Sequence, residues 1–413
     1  MTEQTNTPAL RFPGFSENWE IIKVRDLSQK TIGGGTPNTS KSNYWKGELN
    51  WIQSSDLSLD NLFKHRSKKY INDKALNNSS AKKIPANSIA IVSRVGVGKL
   101  VYINHEYATS QDFINLVHLN YPFKFIMYSL YLLLKGEANK LQGTSIKGLT
   151  KKDLLNYPLN IPKTIEEQEK IGVFFNKLDR QIELEEEKLE LLEQQKRGYM
   201  QKIFSQKLRF KDENGNEYPE WQLKNLNELG ETFTGLSGKT KDDFGYGDGL
   251  FITYMNVFKN TIAKSDMVEK VKIEANENQN KVQYGDILFT TSSEVPNEVG
   301  MSSIWLFNQD NVYLNSFCFG FRVVVNYIKP VYLARYLRSE EMRKTITILA
   351  QGSTRFNISK KEMMKLNIKV PYIEEQIKID NFFNKIDTLI LKQVKKIELL
   401  KQRKQGLLQR MFI

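Results

Sequence analysis

Residue types that could support catalysis are few in this sequence, and their spacing argues against a catalytic or metal site. The three histidines, His65, His105 and His118, lie at no spacing typical of a metal-ligand set or a catalytic triad. The single cysteine, Cys318, lies in the apolar run SFCFGF, which predicts a buried structural thiol. Residues 93–100, SRVGVGKL, lack the first glycine and the hydroxyl residue that a phosphate-binding loop requires. They predict a tight hairpin with a basic tip.

Two further motifs of nucleotide chemistry also fail. The triple glycine at 33–35 precedes Thr-Pro instead of a helix, so it is not a dinucleotide fingerprint. The dipeptide Pro-Pro never occurs, which removes the Asn/Asp-Pro-Pro-aromatic segment of an adenine methyltransferase. We therefore predict a chain with no catalytic site and no metal site. A stand-alone nuclease or methyltransferase stays open as an alternative that these missing motifs disfavour.

The charge balance favours a polyanionic partner. The 413 residues contain 60 Lys+Arg and 47 Asp+Glu, a net charge of +13 with a pI of about 9.3. The partner could be nucleic acid, an acidic protein or a membrane surface. The longest apolar run, around 125–134, is too short to cross a bilayer, and the N-terminus lacks the pattern of a signal peptide. Together with the single cysteine, this predicts a cytoplasmic protein.

The chain contains an internal duplication. Residues 142–179, QGTSIKGLTKKDLLNYPLNIPKTIEEQEKIGVFFNKLD, match residues 351–387, QGSTRFNISKKEMMKLNIKVPYIEEQIKIDNFFNKID. Each half also begins with LRF followed by a tryptophan, Trp19 or Trp221. A period of about 208 residues is too long for a solenoid. It predicts a duplicated domain followed by a duplicated helix.

Each half begins with short β-branched and aromatic runs between turn residues, which predict strands. A helix is expected near 125–135 and its counterpart near 331–345. We predict four segments: a first recognition domain at 10–162, a long helix at 163–207, a second domain at 208–371 and a second long helix at 372–413. The predicted fold class is α+β, with two duplicated α/β domains separated by two long helices that form an antiparallel coiled coil.

The apolar positions of the two helical segments recur at steps of three, four or seven residues, which is the seam of a coiled coil. The alternative is that each helix packs only on its own domain. The seam positions of the first helix are Ile171, Phe175, Leu178, Ile182, Leu189, Leu192, Tyr199 and Ile203, and those of the second are Ile379, Phe383, Ile386, Ile390, Ile397, Leu400, Leu407 and Met411.

The charges of the two helices are complementary. Residues 183–193 hold six glutamates and one lysine, whereas residues 391–404 hold six basic residues and one glutamate. Opposite charges beside an apolar seam select a partner helix. Matching polar with polar and apolar with apolar seam residues predicts a register in which Glu185 faces Lys404 and Lys196 faces Gln393.

These features together resemble the specificity subunits of type I restriction–modification enzymes over nearly the whole chain. Residues 33–57, 233–258 and 285–305 resemble parts of two divergent target-recognition domains, and the signatures IPKTIEEQEKIGVFFNKLD and VPYIEEQIKIDNFFNKID resemble the family's central and distal conserved regions. The resemblance implies a non-catalytic subunit whose two domains read the halves of a split, asymmetric site in double-stranded DNA.

The resemblance also implies partners and cofactors. Two methylation subunits would bind the chain, and restriction subunits would bind through them. S-adenosylmethionine, ATP and Mg²⁺ would be held by those partners and none by this chain. The alternative from a different class is a non-catalytic RNA-binding or coiled-coil scaffold protein.

Loops that combine basic and small polar residues are the candidates for DNA contact, because phosphates are bound by Lys and Arg and base edges by Arg, Asn, Gln, Ser or Thr. For each of these residues, a solvated turn is the alternative interpretation. The basic run KHRSKKY at 64–70 is a further candidate for phosphate binding. The candidates are Ser93, Arg94, Lys99, Gln111 and Lys147 in the first domain, and Lys239, Lys241, Asn256, Ser292, Ser293 and Arg355 in the second.

Overall fold

The structure is a computed structural model that describes residues 6–141 and 149–413, the side chains of 138–141 excepted. It divides into two compact units. The first unit consists of Met1–Glu187 and Lys395–Ile413, and the second consists of Lys188–Val394. The division into four segments stays a prediction, because each of the two units combines one domain with parts of both long helical segments.

Two helices are much longer than the others, and they follow the two copies of the repeat. The helices are Asp73–Asn77 (α1), Phe123–Leu141 (α2), Lys151–Asn156 (α3), Ile165–Phe204 (α4), Tyr254–Lys259 (α5), Pro330–Leu337 (α6), Glu340–Ile348 (α7), Lys360–Met363 (α8) and Ile373–Met411 (α9). α2 covers the helix predicted near 125–135. Its counterpart near 331–345 is divided into α6 and α7, because the side chain of Ser339 accepts a hydrogen bond from the Met342 N–H and starts a new helix.

Within its described residues, the first unit contains three small sheets. Its strands are Glu20–Lys23 (β1), Ser28–Gly33 (β2), Leu49–Ile52 (β3), Lys69–Ile71 (β4), Ser88–Val92 (β5), Leu100–Ile103 (β6), Tyr107–Thr109 (β7), Phe113–Leu119 (β8) and Pro158–Ile161 (β9). β1 pairs with β9, a four-stranded sheet has the order β2-β8-β5-β6, and a three-stranded sheet has the order β4-β3-β7. β5, SIAIV, is buried at every position, as expected for a central β-branched strand.

The second unit repeats these three sheets strand for strand. Its strands are Gln222–Asn225 (β10), Gly230–Thr234 (β11), Phe244–Ile252 (β12), Val268–Val271 (β13), Ile287–Thr290 (β14), Ser292–Ser293 (β15), Ser302–Ile304 (β16), Val312–Leu314 (β17), Cys318–Val323 (β18), Phe356–Asn357 (β19) and Asn367–Val370 (β20). The orders are β10-β20, β11-β18-β14-β16 and β13-β12-β17, with a short ribbon, β15-β19, in addition. The duplicated α/β architecture predicted from the sequence is confirmed.

Each unit is closed by the carboxyl end of a long helix. In the first unit, the ring of Phe412, just after α9, stacks on Phe125 of α2 with centroids 5.6 Å apart, and Leu408 and Met411 join the same core. In the second unit, Phe204 at the end of α4 stacks on Phe383 at 6.0 Å. The first domain in the sequence is therefore completed by the end of α9.

Cys318 is buried among apolar side chains of the second unit, as predicted. Burial raises the pKa of its thiol, so it is inert as a nucleophile at neutral pH. Among the helices that the structure describes, none is long and apolar enough to span a membrane.

The seam positions are buried or half-buried, apart from Tyr199, whose exposed fraction is 37%. Within each unit the segments of α4 and α9 pack antiparallel, because residues of increasing number on α4 contact residues of decreasing number on α9. In the first unit, Asp179 forms an ion pair with Lys404, and Glu185 forms one with Lys396 at 2.5 Å. The helical part of the predicted fold is confirmed in this respect.

The predicted register is wrong by about one heptad. Lys404 pairs with Asp179 instead of Glu185, and in the second unit Lys196 pairs with Asp387 at 2.7 Å instead of facing Gln393. The physical reason is a third helix. The ammonium group of Lys404 lies 5.6 and 5.8 Å from the ring centres of two α2 tyrosines, Tyr128 and Tyr131, so aromatic rings from outside the helix pair favour the position of its charge beside Asp179.

Candidate nucleic-acid interface

The loops that follow the sheet strands of the first unit meet in one place. We define the first loop cluster as residues 34–36, 53–56, 93–99 and 110–112. The hairpin loop between β5 and β6 is held by Ser93, whose N–H and Oγ both donate to the carbonyl of Asp112, at 2.8 and 3.0 Å. Lys99 reaches across the cluster and donates to the carbonyl of Ser54 at 3.0 Å. The hairpin predicted from SRVGVGKL is therefore present, and its loop is fixed to its neighbours.

The predicted contact residues of the first unit have different environments. Ser93 is buried and used for framework hydrogen bonds, so it is corrected from a DNA contact to a structural residue. Lys99 is half-buried with its ammonium group engaged. Arg94 and Gln111 are exposed, and Gln111 accepts a hydrogen bond from Thr36. Lys147 lies outside the described residues.

The basic run at 64–70 is divided between two roles. Lys64 forms an ion pair with Glu183 on α4. Lys69 lies 5.7 Å from the ring centre of Trp45 and donates to the side-chain oxygen of Gln53 at 3.3 Å. A lysine held over an aromatic ring beside a glutamine is suited to a phosphate with an adjacent base. Trp45 and Gln53 were missed in the sequence, although the aromatic–basic composition of this segment was a usable signal.

Two of the histidines lie side by side. The ring centres of His65 and His105 are 5.6 Å apart. Burial, with the nearby His105, lowers the pKa of His65, so its ring is neutral at physiological pH. Within residues 6–141 and 149–413, no group of three or more His, Cys, Asp or Glu side chains is arranged to hold a metal ion.

The second unit repeats the loop framework with different side chains. We define the second loop cluster as residues 235–240, 291–301, 315–317 and 351–357. Thr291 takes the place of Ser93, because its N–H and Oγ1 both donate to the carbonyl of Phe317, at 3.0 and 2.8 Å. Asp112 in one unit thus corresponds to Phe317 in the other. The same hydrogen bonds hold an acidic side chain at one site and an aromatic side chain at its equivalent.

Three of the predicted residues in the second unit come together. Arg355 donates from Nε to the Oγ of Ser292 at 3.2 Å, and β15 pairs Ser293 with Phe356. Ser293 itself is half-buried, and its hydroxyl lies 3.3 Å from a carboxylate oxygen of Glu298. Ser292 is 3% exposed, so it positions Arg355 instead of touching DNA as predicted.

The remaining three predicted residues do not join this group. Lys239 forms an ion pair with Glu277 at 2.5 Å, with its side chain almost fully covered, and Lys241 is exposed. Asn256 is fully buried in α5. Its side-chain amide donates to the carbonyls of Lys264 and Met267, at 2.8 and 3.0 Å. The prediction that Asn256 contacts DNA is wrong, because its amide is consumed in holding this loop.

The repeated sequence motifs are explained by one buried ion pair in each unit. Arg11 of the first LRF motif forms a bidentate pair with Glu167, at 2.6 and 2.8 Å. Arg209 of the second LRF motif does the same with Glu375, at 3.2 and 2.8 Å. Each glutamate opens a long helix, where its charge also complements the helix dipole. The repetition of both motifs was a signal from which this pairing could have been predicted.

A duplicated α/β domain, with a loop cluster of different side chains in each copy and a matching long helix after each, defines a two-domain protein with one candidate recognition surface in each domain. The chain belongs to the family of the type I restriction modification DNA specificity domain, whose model matches residues 16–194 and 218–407.

Individual relatives agree with this family. The chain is 26% identical over 244 residues to the type I restriction enzyme MjaIX specificity subunit of Methanocaldococcus jannaschii, covering 55% of each chain. It is 30% identical over 196 residues to the EcoR124I/EcoR124II specificity subunit of Escherichia coli, covering 43% of this chain and 47% of the relative. The matches thus span about half of the length of these relatives.

Solved structures share the fold over nearly the full chain. The crystal structure of the S subunit of a type I restriction–modification system from M. genitalium has a TM-score of 0.54 at 16% identity, covering 98% of this chain and 99% of that one. A chain from a study of complex assembly and conformational transition in a type I system has a TM-score of 0.60 at 16% identity, covering 98% of each chain.

Proposed function

We propose that this chain reads a bipartite, asymmetric DNA site for a type I restriction–modification complex, with one loop cluster on each half of the site. The observation that carries the proposal is the pair of loop clusters. The framework hydrogen bonds of Ser93 and Thr291 are equivalent, but they support Asp112 in one unit and Phe317 in the other. A conserved framework with divergent side chains is what two readers of unlike half-sites require.

The net charge supports the same function. A charge of +13 favours binding to the DNA backbone, which supplies affinity without sequence information. Sequence discrimination must then come from the loop clusters. We propose that the long helices set the distance between the half-sites, as the spacer does in dimeric DNA-binding proteins.

Domain exchange tests the division of labour. Residues 10–162 would be replaced by the first domain of another family member, and the methylated motif would be determined by methylome sequencing. Only one half of the motif should change, while the other half and the gap stay the same. A change in both halves together would contradict independent reading. The matched control exchanges residues 208–371 and should change the opposite half.

The proposal includes partners and cofactors. Two equivalent helical signatures, at 165–204 and 373–411, would provide two docking sites for methylation subunits, with restriction subunits attached through them. S-adenosylmethionine, ATP and Mg²⁺ would then belong to these partners. Native mass spectrometry of the assembled complex should find two methylation subunits on one copy of this chain. A one-to-one species under saturating conditions would contradict the symmetric arrangement.

A further inference from the structure

Arg355 and Phe317 form an exposed cation–aromatic pair in the second loop cluster. The centre of the Arg355 guanidinium lies 5.5 Å from the ring centre of Phe317. Phe317 is 55% exposed, although large aromatic side chains are usually covered. Exposed apolar surface is stabilised when a ligand covers it. We therefore expect the ring of Phe317 to be covered by the bound ligand.

Backbone hydrogen bonds hold the loop that carries Arg355. Arg355 lies on a loop closed by the pairing of β15 with β19, and the Ile358 N–H donates to the carbonyl of Thr291 at 2.9 Å. Gly352 permits this closure. Its φ is +128°, and a Cβ placed there would lie 2.2 Å from the carbonyl oxygen of Arg355. The second repeat of the Gln-Gly motif thus serves to shape the loop that presents Arg355.

The hydrogen bonds of Arg355 leave the outer edge of its guanidinium available. Nε donates to the buried Oγ of Ser292 at 3.2 Å. Among the residues that the structure describes, no hydrogen bond or ion pair engages either Nη atom of Arg355. Both Nη groups are therefore presented in the fixed fork geometry that matches two acceptors at once.

A base edge fits this arrangement better than a phosphate. A fork of two N–H donors pairs with O6 and N7 of guanine in the major groove, and an apolar ring beside it can contact the methyl group of a thymine. A phosphate would satisfy the fork but would leave the ring of Phe317 in water. The contact with Phe317 also restricts the side chain of Arg355 in the free protein. A side chain that is already ordered loses less entropy on binding, and its fixed geometry discriminates better between bases.

We propose that Arg355 reads a guanine in the half-site of the second unit, and that Phe317 positions Arg355 and covers a neighbouring thymine. This inference rests on the proposed function. Arg355 is thereby named as the residue that contacts the base, in contrast to the other exposed basic residues of the same unit. In the first unit, the position equivalent to Phe317 is Asp112, so the first half-site is read by different chemistry.

The test uses the full chain assembled with its methylation subunits and a library of random duplexes. The wild type should enrich a two-part motif that contains the predicted guanine. Arg355→Lys keeps the charge but loses the fork, and it should weaken discrimination at that guanine by about 5-fold to 150-fold, the range for one bidentate base contact. Binding to unrelated duplexes should stay within about threefold. Phe317→Leu should give a partial loss, and Lys270→Ala, an exposed lysine on β13, should give none.

A second measurement does not depend on any variant folding correctly. Replacing the selected guanine by 7-deazaguanine removes the N7 acceptor, so it should weaken binding of the wild type and have little effect on Arg355→Lys. The assignment would be overturned if the wild type bound equally well after this replacement at every guanine of the half-site. It would also be overturned if Arg355→Lys kept the wild-type preference at every guanine. If the wild type enriches no motif at all, the proposed function itself fails and the inference fails with it.

Discussion

Replacing Phe412 near the carboxyl end should destabilise the unit that contains the amino-terminal domain. The ring of Phe412 lies 5.6 Å from Phe125, 5.8 Å from Phe175 and 6.2 Å from Trp19, measured between ring centres. A Phe→Ala change in a core costs about 3–5 kcal/mol. Because Phe412 is half-buried, we expect a loss near the lower end, about 3 kcal/mol of the free energy of unfolding of the first unit.

Hydrogen exchange measured by mass spectrometry can localise this loss. In Phe412→Ala, amides of α2 and of β8 that exchange by opening of the whole unit should exchange about 100-fold faster. The second unit should be unaffected. Phe204→Ala is the matched control, since Phe204 is 1% exposed and has the same role in the second unit, so its effect should appear there instead. Faster exchange of the second unit in Phe412→Ala, or no change in α2, would refute the reasoning.

Three further predictions concern the buried charges and the DNA. Arg11→Met should cost about 3–5 kcal/mol of the free energy of unfolding of the first unit, because it leaves a buried carboxylate unpaired. Arg209→Met should cost less in the second unit, because the indole of Trp221 still donates to Glu375 at 2.9 Å. Urea unfolding of each variant, followed in both units by hydrogen exchange, compares the two losses, and equal losses would contradict this reasoning. Burial raises the pKa of Asp380 to about 7, so the folded second unit holds a proton that the unfolded chain has released, and its stability should fall as pH rises from about 4 to about 7. Asp380→Asn should flatten that slope in urea titrations at pH 5 and pH 8, and an unchanged slope would exclude Asp380 as its source. The affinity of the assembled complex for duplex DNA should fall by about 10³-fold between about 50 and about 200 mM salt, and a nearly flat dependence, measured by fluorescence anisotropy, would argue that nucleic acid is not the ligand.

The fold could be predicted because duplication and periodicity are properties of the sequence itself. The repeated LRF and EEQ motifs, the strand-rich stretches and the three-four spacing of apolar residues lead to the two α/β domains and the two long helices. The division of the second-domain helix at Ser339 was not predicted, since a serine in an otherwise helical run is compatible with either continuation or a cap.

The helix register and several contact residues could not be predicted, because they depend on third partners. Lys404 was matched with Glu185 as if only two helices were present, whereas Tyr128 and Tyr131 of α2 decide where its charge lies. Asn256 carries a side chain suited to base contact, and only the fold shows that two carbonyls of a neighbouring loop use its amide. Contact residues are defined by exposure, which a sequence pattern in a loop does not determine.

The closure of the first unit by Phe412 has a consequence for synthesis on the ribosome. Domains usually fold in order as they emerge, but the core around Phe125 and Phe175 lacks the end of α9 until residues 395–413 are made. The intervening segment, Lys188–Val394, takes roughly 10–40 s to translate at about 5–20 residues per second. During that interval an apolar surface of the nascent first domain is uncovered and open to chaperones.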